Sequence, residues 1–570
     1  MRTVANGWAI ALAGLVLGLS GPALAAKPAM KAPPKAPDVG WSTVGGGNDS
    51  RRFSPLTQIA LANVGQLKLA YAFPLGTRTA HEAAPLVVGR MLYVTSSDGP
   101  QFVYALDAAS GKLLWRYAPE LPNNTRQYSC CDVGNRGVAY ADGKVFVGRL
   151  DGYLVALDAK TGAEVWKAKA VDYAEGAVIT SEPLVVGNMV ITGHAGGEYG
   201  VKGSLSAYDI LTGKPLWRTY TVPTDVNDPA AATWKEDSWK TGGAAPWLGG
   251  SYDPVTKTIY WGTSNPSPQN ATKRSTGTSD YGNLTNLYSS STLALDAATG
   301  KIKWWIQTTP ADAWDYDGVN ELVLADLNID GRKRAVLMKA DRNGFFYVAD
   351  RVTGKLVSAE PFVTVNWAKK IDLATARPIE NPEKRAGAGN VAKDVCPYAG
   401  GGKNWPPMSF SPQTGLVYIP AMDVCQSFID VDVTFKRGLP YRGRQGADTH
   451  KGPGPAIGEM LAWDPIHQRA AWRVVESMPF VGGALSTAGG LVFYGNTEGL
   501  FKAVDARTGK PLWKVSLGAS IAAAPVTFRI DGKQYVAVVA GRNLAPPLVP
   551  VIPDPLAALP EGGTLFVFAL

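Results

Sequence analysis

The chain has 570 residues, 46% of them hydrophobic and 18% charged, with a formal net charge of +8. Its length exceeds one ordinary domain, and so low a charged fraction argues against a mainly helical protein. The mild positive charge comes without a dense Lys/Arg run, which excludes a nucleic-acid binder and suits an acidic protein partner.

The N-terminus has the order of a secretory signal over residues 1–25. Arg2 is a thin basic region, Ala9 to Leu19 is an apolar stretch, and Ala23-Leu24-Ala25 is a small-x-small cleavage site. No later stretch has the apolar length of a membrane span. Export to the periplasm, a compartment that permits disulfides, is therefore expected. Residues 26–38 (AKPAMKAPPKAPD) read as a Pro/Ala/Lys linker, and residues 39–570 as the folded part.

From there one pattern recurs: an apolar strand ending in Ala-x-Asp, a Gly-containing turn, and a strand ending in Trp. Copies are ALDAASGKLLW (105–115), ALDAKTGAEVW (156–166), AYDILTGKPLW (207–217), ALDAATGKIKW (294–304) and AVDARTGKPLW (503–513). AWDPIHQRAAW (462–472) is weaker, and VADRVTGKLVS (348–358) has lost the Trp. The physics is a hairpin whose Gly takes a positive φ and whose Asp accepts turn N–H groups. The Trp is expected to dock on the next unit. A repeat of this length gives about one four-stranded sheet per copy, so the fold class is all-β, a β-propeller with tryptophan-docking repeats. Counting SFSPQTGLVYIPAMD (409–423) as a degenerate unit gives about eight blades. The tail GTLFVFAL (563–570) is expected to pair with strands near Leu67–Phe73 and close the ring.

Functional residues of a propeller lie in the loops at one mouth. Two features stand out. Cys130 and Cys131 are adjacent, and in an exported chain with four Cys they read as an oxidised vicinal pair, leaving Cys396 and Cys425 to form a second disulfide. Trp314-Asp315-Tyr316-Asp317-Gly318 sets two carboxylates two residues apart. In extended chain they face one side, and like charges so close call for a proton or a hard cation between them. Taken alone, a D-x-D is more often a solvated loop. His81, His194, His450 and His467 have no metal-ligand spacing, and His194 reads as loop packing. No C-x-x-C-H occurs, so the chain carries no c-type haem motif.

The repeats, CCDVGNRG (130–137) and WDYDGVNE (314–321) together resemble the pyrroloquinoline quinone (PQQ) dependent alcohol dehydrogenases, from GGGNDSRRFSPL (45–56) to the C-terminus. The resemblance implies an eight-bladed propeller with PQQ and a metal ion in its channel. It implies cofactor contacts from Glu82, the Cys130–Cys131 ring, Arg136, Thr180, Gly196, Gly197, Trp247, Arg342 and Asn404. Metal ligands would be Glu198, Asn265 and Asp315, with Asp315 the catalytic base. Asp317 resembles the lanthanide-dependent branch, because calcium members have a small or uncharged residue there. Hard trivalent ions favour more anionic oxygens, by extension of the calcium ligand logic. The implied activity is oxidation of small primary alcohols to aldehydes, with a soluble cytochrome c as acceptor. A calcium-dependent member acting on a bulkier alcohol or polyol is the alternative, and a non-enzymatic envelope propeller a distant one. A homodimer is one assembly the sequence leaves open. Ala245, Gln269 and Val481 depart from the residues often found in the family, and the loss of Trp at Gln269 speaks against methanol alone.

Overall fold

A computed structural model describes residues 37–77, 81–96, 102–129, 134–387, 389–480, 482–541 and 562–570. Residues 1–36, over which the signal and most of the linker are expected, lie outside the described residues, as do Cys130, Cys131 and Val481. No helix among the described residues is long and apolar enough to cross a membrane.

Among the described residues, eight sheets contain a four-stranded antiparallel meander, and one of them gains a short fifth strand, Phe53–Ser54. Each is a blade. Blade 1 runs from Leu86–Val88 through Met91–Thr95 and Val103–Asp107 to Leu113–Tyr117. The Ala-x-Asp strand and the strand carrying Trp are the third and fourth strands of this blade, as in the other copies. Asp107 Oδ1 accepts the N–H groups of Ala109 and Ser110, and Asp158 Oδ1 those of Lys160 and Thr161. The turn glycine Gly162 has φ +74°, and a Cβ there would stand 2.5 Å from the ring of Trp115. Only glycine meets both demands, positive φ and an indole laid flat on the turn. Trp115 Nε1 donates to Ala159 O at 3.1 Å, Trp166 to Ile210 O at 3.1 Å, Trp217 to Ala297 O at 3.2 Å and Trp472 to Ala506 O at 3.2 Å. Each acceptor follows the turn aspartate of the next blade, so every indole both fills a gap and satisfies its N–H across a blade boundary.

The apolar clusters run from blade to blade without a break. Tyr93 and Val103 of blade 1 pack with Val145 and Val155 of blade 2, and Phe146 with Val190 of blade 3. Farther round, Met460 packs with Val492, and one cluster holds Phe493, Phe568 and Leu92 together. The ring closes where Lys68–Pro74 pairs with the C-terminal strand Thr564–Ala569, Lys68 opposite Ala569. Here Tyr71 does the work of the docking Trp. Its ring lies on Gly111, and its hydroxyl donates to Ala108 O at 2.9 Å.

The eighth blade is not the one expected. Ser409–Phe410 and Val417–Met422 are the first two strands of the same sheet as Gly458–Asp464 and Arg469–Glu476, which hold the weak AWD copy. The eighth blade is instead Val526–Ile530, Lys533–Ala540 and the two chain ends. Blade 6 is split because an insertion interrupts it. That insertion contains Val424–Asp430 paired with Arg444–Lys451, and the Cys396–Cys425 disulfide ties it down.

Candidate active site

In a four-stranded meander, the connections between blades and those between second and third strands emerge at one end, opposite the Asp-Gly turns. The residues singled out in the sequence fall on these connections. Glu82, Arg136 and Trp247 precede first strands, Glu198 and Asn265 lie between second and third strands, and Asp315 and Asp317 join blade 4 to blade 5. Topology alone therefore brings them to one mouth.

Trp314 and Tyr316 are fully buried, stacked at 5.6 Å beside Trp367. Asp315 lies between Trp314 and Tyr316, and Asp317 follows. The segment is not an extended strand. Asp315 has φ +72°, and Asp312 holds the turn by accepting the N–H groups of Trp314 and Tyr316, both at 2.8 Å. A left-handed aspartate capped by a second one, rather than simple extension, turns both carboxylates inward.

Asp317 is buried. Its Oδ1 accepts Asn265 N–H at 2.6 Å, its Oδ2 accepts Trp247 Nε1 at 3.1 Å, and Arg342 Nη1 pairs with it. Asp315 Oδ2 lies 3.8 Å from Arg342 Nη2 and 3.2 Å from Arg444 Nη2. Burial pushes the Asp317 carboxyl up; Arg342 opposes this, while Asp315 and Glu198 add to it. Glu198 is likewise raised, first by burial. Its loop is fixed on both sides. Tyr441 N–H donates to Glu198 O at 2.6 Å, and Gly197 packs against Ser264, next to Asn265. Asn265 Oδ1 is buried with no hydrogen-bond partner. Asp315 and Glu198 both act electrostatically on Asp317, and Asn265, whose N–H Asp317 accepts, leaves its buried amide oxygen unpartnered, so the site offers the anionic and neutral oxygens a hard cation takes.

Trp247 is the wall shared with a second group. Its edge bonds Asp317, and its face carries the Arg136 guanidinium at 4.9 Å. Arg136 pairs with Glu82 at 2.7 Å and faces Trp405 at 5.5 Å. Thr180 O accepts Arg136 N at 3.1 Å. Gly196 has φ +127°, with no room for a Cβ against Gly176 O. Asn404 joins through Asn320, whose Nδ2 donates to Asn404 O and whose Oδ1 accepts Arg342 N. An aromatic floor and a guanidinium suit a flat polyanion such as PQQ, and Glu82 holds the guanidinium in place. His194 is structural: its Nδ1 lies 2.9 Å from Ala195 O and its Nε2 accepts Ser204 N–H at 3.0 Å, with burial lowering its pKa to about 4.

Sequence reasoning did not find Arg444, Trp405 or Asp312. Trp405 adjoins Asn404 in KNWPP, so the signal was one residue away. Arg444 stands on the insertion, 129 residues from Asp315, and no repeat or motif marks it.

The family model "PQQ: Glucose/ethanol/alcohol dehydrogenase, beta-propeller domain" matches residues 41–365 and 455–536. The lanthanide-dependent methanol dehydrogenase of Methylacidiphilum fumariolicum strain SolV is 42% identical, over 91% of this chain and 90% of that protein. The quinohemoprotein alcohol dehydrogenase ADH IIB of Pseudomonas putida is 44% identical, over 93% of this chain and 77% of that protein. A solved europium-containing methanol dehydrogenase superposes with a TM-score of 0.88 at 41% identity, covering 93% of this chain and 98% of that one. The chain belongs to the family of PQQ-dependent alcohol dehydrogenases.

Proposed function

We propose that this protein oxidises primary alcohols to aldehydes in the periplasm, using PQQ and a lanthanide ion, and passes the electrons singly to a soluble cytochrome c. The observation that carries the metal reading is buried Asp317, acted on by Asp315 and Glu198 and bonded to the N–H of Asn265, whose Oδ1 is unpartnered. These four would hold the ion, and Asp317 supplies the extra negative charge that favours a trivalent over a divalent one. Glu82, Arg136, Thr180, Gly196, Gly197, Trp247, Arg342 and Asn404 would hold the quinone, with the Cys130–Cys131 ring on its other face. When bound, PQQ supplies a two-electron acceptor for hydride from the alcohol carbon, and the ion supplies Lewis-acid polarisation.

The chain's own residues divide the remaining work. The Asp315 side chain is 17% exposed and that of Asp317 only 3%, so an alcohol reaches Asp315 and not Asp317. Asp315 therefore takes the hydroxyl proton, and Asp317 stays with the ion and Arg342. Arg342 and Arg444 orient Asp315 Oδ2 towards the incoming hydroxyl. Trp247 keeps the floor flat and dry while its N–H fixes Asp317. The signal at residues 1–25 supports the periplasmic setting, and the net charge of +8 supports an acidic electron acceptor.

Asp315→Asn tests the assignment. Turnover should fall by at least about 10²-fold, the scale of losing a general base. PQQ should still bind, read from the absorption spectrum of the purified holoprotein. A near-normal rate would remove Asp315 from its role.

A further inference from the structure

The inserted strands Val424–Asp430 and Arg444–Lys451 place Asp430 directly opposite Arg444, on the flank of the site next to Asp315. Arg444 comes from outside the propeller repeats. Its side chain is only 7% exposed, and its guanidinium lies 4.7 Å over Phe428. One nitrogen, Nη2, donates to Asp315 Oδ2 at 3.2 Å. The other two, Nε and Nη1, are buried and have no hydrogen-bond partner. Both carboxylate oxygens of Asp430 are also buried and unpartnered.

The neighbouring cations do not resolve this. Arg274 spends its donors on Pro268 O, Asn286 Oδ1, Gln269 O and Asp312 O. Arg385 spends its own on Glu380 and Ala311 O. Leaving two guanidinium donors and a carboxylate unpaired and buried is costly, and such groups call for a polar occupant. The occupant must accept from Arg444 and donate to Asp430. A hydroxyl does both, whether of water or of a substrate that displaces it. A carboxylate satisfies Arg444 but is repelled by Asp430, an ammonium the reverse, and an alkyl group satisfies neither.

We propose that Arg444 and Asp430 form a subsite for a second hydroxyl of the substrate, so that the alcohols preferred at this site are short diols or polyols. The inference rests on the dehydrogenase reading above. The open donors belong to the same planar group whose third nitrogen touches Asp315. A short diol presenting one hydroxyl to Asp315 would offer its second to this pair.

The test compares propane-1,3-diol with butan-1-ol, which matches it in size, using the full holoprotein with PQQ and La³⁺. The wild type should favour the diol by at least about 10-fold in kcat/KM, because a site built for a hydroxyl rejects the analogue lacking it. Asp430→Ala and Asp430→Asn should collapse that ratio, and turnover of butan-1-ol by the same preparations reports that they fold. A wild-type ratio near one overturns the proposal and leaves the pair as a water site. Equal losses for both alcohols in the variants also overturn it, making the pair merely a support for Asp315. Oxidation of neither alcohol by the wild type overturns the dehydrogenase reading, and this one with it.

Discussion

Raising the pH of metal-free protein from 5 to 8 forces Asp317 to ionise inside a site that already holds Asp315 and Glu198. Burial, opposed by Arg342 but reinforced by those two carboxylates, raises its pKa from 3.8 to about 7. In the unfolded chain the same group has lost its proton by pH 5. Between pH 5 and about 7 the native state therefore holds a proton that the unfolded state does not, and stability falls as pH rises. Two pH units at about 1.4 kcal/mol each give a loss of about 3 kcal/mol between pH 5 and 7, and the slope vanishes above about pH 7 and below about pH 4. A chain of 570 residues has an unfolding entropy of about 1.2 kcal/mol/K, so the loss appears as about 2–3 °C in Tm. Differential scanning fluorimetry of apoprotein at pH 5, 6, 7 and 8 measures it. Asp317→Asn should flatten the slope by that amount, and La³⁺ at pH 8 should more than restore the wild-type Tm, because a cation binds the ionised form. An unchanged slope in Asp317→Asn would refute the claim that Asp317 carries the strain of this site.

The scaffold gives further expectations. Trp115→Ala removes an indole buried between blades 1 and 2 together with its bond to Ala159 O, and should cost about 3–5 kcal/mol, read as a Tm fall of several degrees. The paired substitution Cys396→Ser, Cys425→Ser opens a link spanning 29 residues and should cost about 3–4 kcal/mol by loop entropy, seen as a lower denaturant midpoint.

The blades could be read because each carries its signal locally. Asp, Gly and Trp lie within eleven residues, and the hairpin they form needs nothing remote. Blade 8 could not be read in this way. It is assembled from both ends of the chain, and Tyr71 stands where the pattern has Trp. Blade 6 misled because its two halves look like separate units until the insertion between them is recognised as its own small sheet. At the site, Asp315 and Asp317 were legible as chemistry and Glu198 and Arg342 only through the family resemblance, while the way the chain turns to present them was not. Asp315 turns through a left-handed residue that Asp312 caps, and no side-chain period encodes that. Arg444 and Asp430 were invisible for a different reason. Asp430 comes opposite Arg444 only through strand pairing within the insertion, and Arg444 meets Asp315 across 129 residues.

The central claim is an alcohol oxidation supported by PQQ and a trivalent ion at Glu198, Asn265, Asp315 and Asp317. Its most direct test is reconstitution of apoprotein with PQQ and either La³⁺ or Ca²⁺, followed by dye-linked oxidation of a primary alcohol in wild type and Asp317→Ala. Turnover with La³⁺ should be at least about 10-fold above that with Ca²⁺ in the wild type, and Asp317→Ala should lose the La³⁺-supported rate, because the extra carboxylate charge favours the trivalent ion. Equal rates with the two ions, or a variant that keeps its La³⁺-supported rate, would contradict it.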